Sequence, residues 1–310
     1  MFTTGFSPSG FKSSSQKIRS NLLPTGLSSP ESVIETNILP FDKLIFEKQI
    51  GEGGFANVWQ GKYDNECVAI KVSFDADDGS FLNEANIMSK LSPSRYIVTC
   101  IGYSVSSNNI PCIVMELMQE SLYTRLTQTN LDWNTCVKIA ADVASALQLL
   151  HQHNYVHSDI KSANILLKDG RAKLGDFGVT QKCDAATTMN GSMYWMAPES
   201  ASEKENTTKS DIFSFGIFLL ELTLGRNEKN PKSFDALYLS IYFVDYITLL
   251  SDNFVEIKNI HTNLCDELKS KGCPAFLIDL IRSCLEEKPE LRPTASATSN
   301  AANIRLDLEG

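Results

Sequence analysis

The chain has 310 residues, 28 of them Lys or Arg and 37 Asp or Glu, for a formal net charge of −9. Apolar side chains make up 43%, ordinary for a globular protein, so the length allows one large domain or two modest ones, each with a real core. The acidic balance speaks against a nucleic-acid backbone as the main partner, because that needs a concentrated basic surface.

Residues 1–40 are dense in Ser, Thr, Gly and Pro, lack apolar periodicity and carry no acid before Glu31. Such a segment buries too little apolar area to offset its ordering entropy, and a disordered Ser-rich tail is expected. Lys12, Lys17 and Arg19 leave a transit-like or partner-docking role open, and the first residues lack the apolar run of a secretory signal. From Leu44 the texture changes. Residues 44–63 and 67–74 read as short strands around a Gly-rich turn. In residues 80–91, Phe81, Ala85, Met88 and Leu91 recur at helical spacing, and Pro93 closes the segment. Residues 110–117 read as another strand. Asp132 is placed to cap a helix with an apolar stripe of Val137, Ala140, Ala144 and Leu147. Residues 210–225 are apolar on nearly every face and end at Gly225, the pattern of a buried central helix. Strands with one helix, then mostly helices, suggest two lobes with a cleft between them.

No membrane span is expected. The most apolar stretches, 212–224 and 237–250, fall short of the roughly 17–25 residues a bilayer requires, and they contain Glu221 and Asp245. Cys67, Cys100, Cys112, Cys136, Cys183, Cys265, Cys273 and Cys284 show no Cys-x-x-Cys spacing and read as the reduced thiols of an intracellular, cytoplasmic protein.

Three segments carry chemistry. Gly51-Glu52-Gly53-Gly54-Phe55-Ala56-Asn57-Val58 is a Gly-rich hairpin, either a plain turn or a loop whose amides approach phosphate oxygens. A dinucleotide-binding reading needs a helix straight after the loop, and strand follows instead. Lys71 ends the apolar run Val68-Ala69-Ile70; it either reaches solvent or is held by Glu84 as a fixed charge for phosphate. His157-Ser158-Asp159-Ile160-Lys161-Ser162-Ala163-Asn164 is followed by Gly175-Asp176-Phe177-Gly178. Its carboxylate and amide oxygens are the hard ligands Mg²⁺ prefers, and phosphoryl transfer also needs a carboxylate near the attacking hydroxyl.

On these residues the sequence resembles a eukaryotic-type protein kinase domain over about residues 44–295. Ala197-Pro198-Glu199, Asp211 with Ser214-Phe215-Gly216, and Leu291-Arg292-Pro293 extend the match, and the run from Gly191 to Glu199 is similar to the tyrosine-kinase-like branch of the Ser/Thr kinases. The resemblance implies an α+β, bilobal fold: an antiparallel-sheet N-lobe and hinge over 41–118, and a helical C-lobe over 119–310. It implies ATP and Mg²⁺ as cofactors, a protein substrate as partner and transfer of the γ-phosphate to Ser or Thr. By the same resemblance, Gly51, Gly53 and Val58 cover the nucleotide, Ala69 and Leu166 flank the adenine, Met115 is the gatekeeper, and Glu116 to Met118 form the hinge. Lys71, held by Glu84, reaches the α- and β-phosphates. Asp159 orients the substrate hydroxyl and takes its proton, Lys161 neutralises charge on the moving phosphoryl group, and Asn164 and Asp176 hold the metal. Glu199 and Arg292 form a structural ion pair. Lys161 and Ser192 resemble Ser/Thr rather than tyrosine kinases. The alternatives are a dual-specificity or tyrosine kinase, or a pseudokinase serving as a nucleotide-binding scaffold. A small-molecule kinase is disfavoured by Ala197-Pro198-Glu199, Asp211 and Arg292.

Four departures stand out. Ser158 occupies the place of an Arg that pairs with a phosphorylated activation loop in many kinases, so dependence on phosphorylation of Thr187, Thr188 or Ser192 is expected to be weak. Ala56 replaces the third loop glycine, with an effect on nucleotide affinity at most. Gln119-Glu120 follows the hinge where glycines are common in the related branch. Residues 234–250, with Phe234, Tyr238, Tyr242, Phe243, Tyr246 and Leu250, are unusually aromatic and form either core or a protein-docking face.

Overall fold

The computed structural model describes residues 36–76, 78–183, 192–202, 206–226, 233–234 and 254–309. The chain divides into two units, one built from residues up to Ser94 with Val98–Met118, the other from Arg95–Ile97 with the residues from Gln119 onward.

Among the described residues, the first unit is an antiparallel sheet with one α-helix. Its strands are β1 (Leu44–Glu52), β2 (Ala56–Tyr63), β3 (Glu66–Ser73), β4 (Cys100–Val105) and β5 (Pro111–Glu116), and its helix is α1 (Gly79–Lys90). The strand order is β1-β2-β3-β5-β4, which leaves β4 at an edge. Asp64 and Asn65 both take positive φ between β2 and β3, the geometry that matches a two-residue turn to strand twist. Gly61 is required by packing, because a Cβ there would lie 2.1 Å from the Ile45 carbonyl oxygen. Asp78 caps α1 by accepting from the Ser80 amide at 3.0 Å. The helix buries Phe81, Leu82, Glu84, Ala85, Ile87 and Met88, so its apolar face points inward, as the spacing predicts.

The second unit is mainly helical. Two short strands and two helices come first: β6 (Glu120–Ser121), α2 (Leu122–Gln128), α3 (Trp133–Gln152) and β7 (Tyr155–Val156). Then follow β8 (Ile165–Lys168), β9 (Arg171–Leu174), β10 (Gln181–Lys182), α4 (Pro198–Ser202), α5 (Thr208–Leu224), α6 (Phe254–Ser270), α7 (Ala275–Cys284) and α8 (Ala295–Glu309). Asp132 caps α3, accepting from the Thr135 amide at 2.9 Å. The α5 helix is buried around most of its circumference and ends at Gly225, whose φ of 73° suits glycine. It packs against α7, while α3 packs against α8 and β9.

Two expected boundaries differ. Residues 36–40, assigned to the tail by composition, belong to the folded first unit: the Leu39 amide donates to the Tyr103 carbonyl at 2.7 Å and Leu39 is buried. Arg95–Ile97 cluster with the second unit because the Leu174 amide donates to the Tyr96 carbonyl at 2.8 Å and Ile97 bridges to Leu174. The rest of the tail, residues 1–35, lies outside the described residues, as do Thr187, Thr188, Tyr238, Tyr242, Phe243, Tyr246 and Leu250. Phe234 is described and is fully buried, 6.0 Å between ring centroids from Trp195. All eight cysteines are free thiols. Among the described residues, no helix is long and apolar enough to cross a membrane.

Candidate active site

In the first unit, the ladder register lines up the expected nucleotide-facing residues. Gly51 pairs with Val58 and Val58 with Lys71, forming one row across β1, β2 and β3. Ala69 pairs with Met115 in the neighbouring row. Opposed residues, and those two apart on one strand, share a face, so Gly51, Val58, Ala69, Lys71 and Met115 lie on the same face of the sheet. The hairpin between β1 and β2 is closed by the Gly53 amide donating to the Ala56 carbonyl at 2.9 Å. A Cβ at Gly51 or Gly53 would meet its nearest neighbour at 3.4 Å, an ordinary contact, unlike the clash at Gly61. The fold alone therefore tolerates side chains at 51 and 53, and their absence leaves the loop backbone open to a ligand.

Lys71 Nζ donates to both carboxylate oxygens of Glu84, at 2.8 and 2.9 Å. The Lys71 side chain is 16% exposed and that of Glu84 3%, so the lysine is held rather than released to solvent. A pair this buried is fixed in position, because removing either partner strands a charge away from water. Glu116 spends its side chain locally, accepting from the Thr99 amide at 2.8 Å, while Met118 is half-buried at the end of the unit.

In the second unit, the loop from His157 to Asn164 folds around its own polar groups. Lys161 Nζ donates to Asp159 Oδ2 at 2.7 Å and to Ser192 Oγ at 2.6 Å. The Ser192 amide donates to Asp159 Oδ1 at 3.0 Å. Asn164 Nδ2 donates to the Asp159 carbonyl and to Asp159 Oδ2, both at 2.8 Å, which turns its Oδ1 to the other side. The Gly175 amide donates to the Asn164 carbonyl at 2.9 Å, tying that residue to the segment carrying Asp176. Asp176 adopts φ of 58°, a sparsely populated region for a side chain with Cβ. Leu166 is half-buried on β8, paired with Ser121 and Lys173.

Asp211, in the first turn of α5, holds this loop from beneath. It accepts from the His157 amide at 2.8 Å, the Ser158 amide at 2.9 Å and His151 Nε2 at 2.8 Å. Ser158 has φ of 69°, so the carboxylate secures a conformation that costs about 1–3 kcal/mol. The Ser158 hydroxyl is buried with no hydrogen-bond partner among the described residues, and serine lacks the cation an arginine would bring. His157 is buried, and burial pushes its imidazole below the ordinary histidine range; it sits against the Gly175 carbonyl at 3.1 Å.

Glu221 is a structural support for this loop whose partners the sequence did not disclose. Fully buried in α5, it accepts from the Ser162 amide at 3.0 Å, the Ser162 hydroxyl, Trp195 Nε1 at 3.2 Å and Arg226. The available signal was an acid inside an otherwise apolar helix, which must find internal partners. Glu199 and Arg292 form the expected ion pair, with Arg292 Nη2 donating to Glu199 Oε2 at 2.9 Å and its side chain fully buried.

Comparison with known proteins bears on this arrangement. A family model described as protein tyrosine and serine/threonine kinase matches residues 44–301. The chain is 31% identical over 280 residues to the probable serine/threonine-protein kinase roco7 of Dictyostelium discoideum, covering 83% of this chain and 10% of that protein. It is 34% identical over 292 residues to the proline-rich receptor-like protein kinase PERK10 of Arabidopsis thaliana, covering 87% and 37%. A third relative, the RasGEF domain-containing serine/threonine-protein kinase X of Dictyostelium discoideum, is 32% identical over 270 residues, covering 82% and 26%. The chain thus spans well under half the length of these curated relatives.

Proposed function

Because the chain belongs to the protein tyrosine and serine/threonine kinase family, we propose that it transfers the γ-phosphate of ATP to serine or threonine hydroxyls of a protein substrate. The observation that carries this reading is the closed triangle of Asp159, Lys161 and Ser192. It fixes a carboxylate and a cation side by side, the pair a hydroxyl nucleophile and a moving phosphoryl group require.

In this reading the substrate oxygen forms its bond to the γ-phosphorus as the bond to the β–γ bridging oxygen breaks, ADP leaves, and the hydroxyl proton passes to Asp159. Lys161, on the same side as Asp159, offsets charge on the transferring group. Lys71, aimed by Glu84, binds the α- and β-phosphates, while Gly51, Gly53 and Val58 cover them. Ala69 and Leu166 flank the adenine, and Met115, Glu116 and Met118 line its edge. Asn164 Oδ1 and the Asp176 carboxylate would hold Mg²⁺: both are hard oxygen donors, and Asn164 has its amide nitrogen already committed to Asp159. Bound there, the ion supplies neutralisation of phosphate charge. A scaffold without activity is disfavoured because every member of the reactive set is present.

The test is phosphate transfer from ATP and Mg²⁺ to the chain itself and to a generic protein, with sites read by mass spectrometry. Asp159→Asn is expected to lower the rate by about 10²–10⁴, the worth of a positioned proton acceptor. Phosphotyrosine alone, or equal transfer by the variant, would overturn the proposal.

A further inference from the structure

Thr36 to Leu39 precede the first residue matched by the family model, so the family pattern does not account for them. They lie along β4, the edge strand of the first unit. An edge strand offers unpaired amides and carbonyls to any extended segment. Here the Tyr103 amide donates to the Asn37 carbonyl at 2.8 Å, and the Leu39 amide donates back to the Tyr103 carbonyl at 2.7 Å. The buried Ser104 hydroxyl donates to the Leu39 carbonyl at 2.9 Å, and the Leu39 side chain joins the core of Leu44, Val68, Ile70, Cys112 and Val114.

The other end of this segment touches α1. The Thr36 amide donates to Asn86 Oδ1 at 3.3 Å, and Thr36 Oγ1 lies 3.7 Å from Cys100 Sγ. The segment thus meets the helix directly, through Asn86. Asn86 follows Glu84 by two residues on α1.

Gly102 in β4 shows that the close approach is built into the sequence. A Cβ there would lie 2.6 Å from the Asn37 carbonyl oxygen and 2.6 Å from Leu39 Cγ. Its three nearest neighbours all belong to this segment, so the glycine makes room for the segment and for nothing nearer.

We propose that residues 36–39 are a positioning strap: docked on β4 and tied to Asn86, they set helix α1 and with it the Lys71–Glu84 pair. The chain preceding Thr36 thereby has a direct mechanical route to the lysine that binds phosphate. Thr36 and Asn86 are positioning residues, acting through Glu84. The consequence for ATP rests on the kinase reading; the effect on α1 does not.

The test uses the full chain as wild type, Gly102→Ala, Asn86→Ala and the double variant. Hydrogen exchange is followed over residues 36–39 and 79–90, together with initial rates across ATP concentration. Gly102→Ala fills the gap under the strap and is expected to speed exchange in both segments. Asn86→Ala leaves the strap on β4 and is expected to speed exchange in 79–90 alone. Each is expected to lower kcat/KM for ATP by about three- to tenfold, the scale of one lost hydrogen bond. The double variant is expected to be no worse than Gly102→Ala, because both changes break one link. Faster exchange at 36–39 with 79–90 unchanged, or losses that add, would overturn the strap. Exchange is read without turnover, so a chain that transfers no phosphate would sink the kinase reading and still decide the strap. If Gly102→Ala fails to fold, exchange in Asn86→Ala decides alone.

Discussion

Ser192 is where a single hydroxyl has the most leverage. Its Oγ accepts from Lys161 at 2.6 Å while its amide holds Asp159, so one residue registers both side chains. Ser192→Ala removes the hydroxyl contact and keeps the amide. A hydrogen bond to a charged group is worth about 1.5–3 kcal/mol, which predicts a fall in kcat of about ten- to a hundredfold. Steady-state kinetics check this, with Ser192→Thr restoring the rate and KM for ATP unmoved in both. Ser158 carries the opposite kind of prediction. Its hydroxyl is buried and it brings no cation to the loop, so a phosphate on Thr187 or Thr188 finds no arginine there. Replacing both threonines by Ala is expected to cost less than about tenfold in rate; a larger loss in the transfer assay would contradict this.

At the scale of elements, α5 organises the second unit. It supplies Asp211 to the backbone of His157 and Ser158, and Glu221 to Ser162 and Trp195, so the loop from His157 to Asn164 hangs from two carboxylates on one buried helix. Phe213 of the same helix faces His261 of α6, with ring centroids 6.1 Å apart. Burial pushes the His261 imidazole down to about 3, and His157 is shifted in the same direction. Unfolded histidine takes up its proton near pH 6.5, and these folded rings do not. Stability is therefore fully present above about pH 6.5 and falls as the pH drops, by up to about 1.4 kcal/mol per pH unit for each ring, until the folded value is reached. Urea titrations at pH 7, 6 and 5 measure the slope, and His261→Phe is expected to flatten it. A midpoint independent of pH over that range would refute the assignment.

For the whole molecule, the proposed nucleotide binding links stability to ligand concentration. A ligand that binds only the folded state adds RT ln(1 + [L]/Kd), about 2.7 kcal/mol at a hundred times Kd. Thermal unfolding with ATP and Mg²⁺ is expected to show this rise. EDTA is expected to remove most of it, and Lys71→Ala to abolish it. An equal shift in the Lys71→Ala variant would place the nucleotide elsewhere.

Much of this was legible because it is local. The capping acid before α3, the glycine ending α5, the apolar spacing of α1 and the order of strands before helices each depend on neighbours in sequence, and the motif residues stand at short, fixed spacings. The packing of Thr36–Leu39 against β4 was not legible, since composition cannot tell a polar segment that finds an open strand edge from one that does not. Nor were the partners of Glu221, where a lone acid in an apolar helix signals burial but not which donors will meet it. By itself the sequence determined the family, the fold class and which side chains the motifs contain. Only the tertiary structure decided which of those groups touch: Lys71 with Glu84 rather than solvent, Lys161 with both Asp159 and Ser192, and Asp211 under the loop. Those contacts join residues far apart in the chain, and their distances follow from how strands and helices pack, a property no local pattern carries.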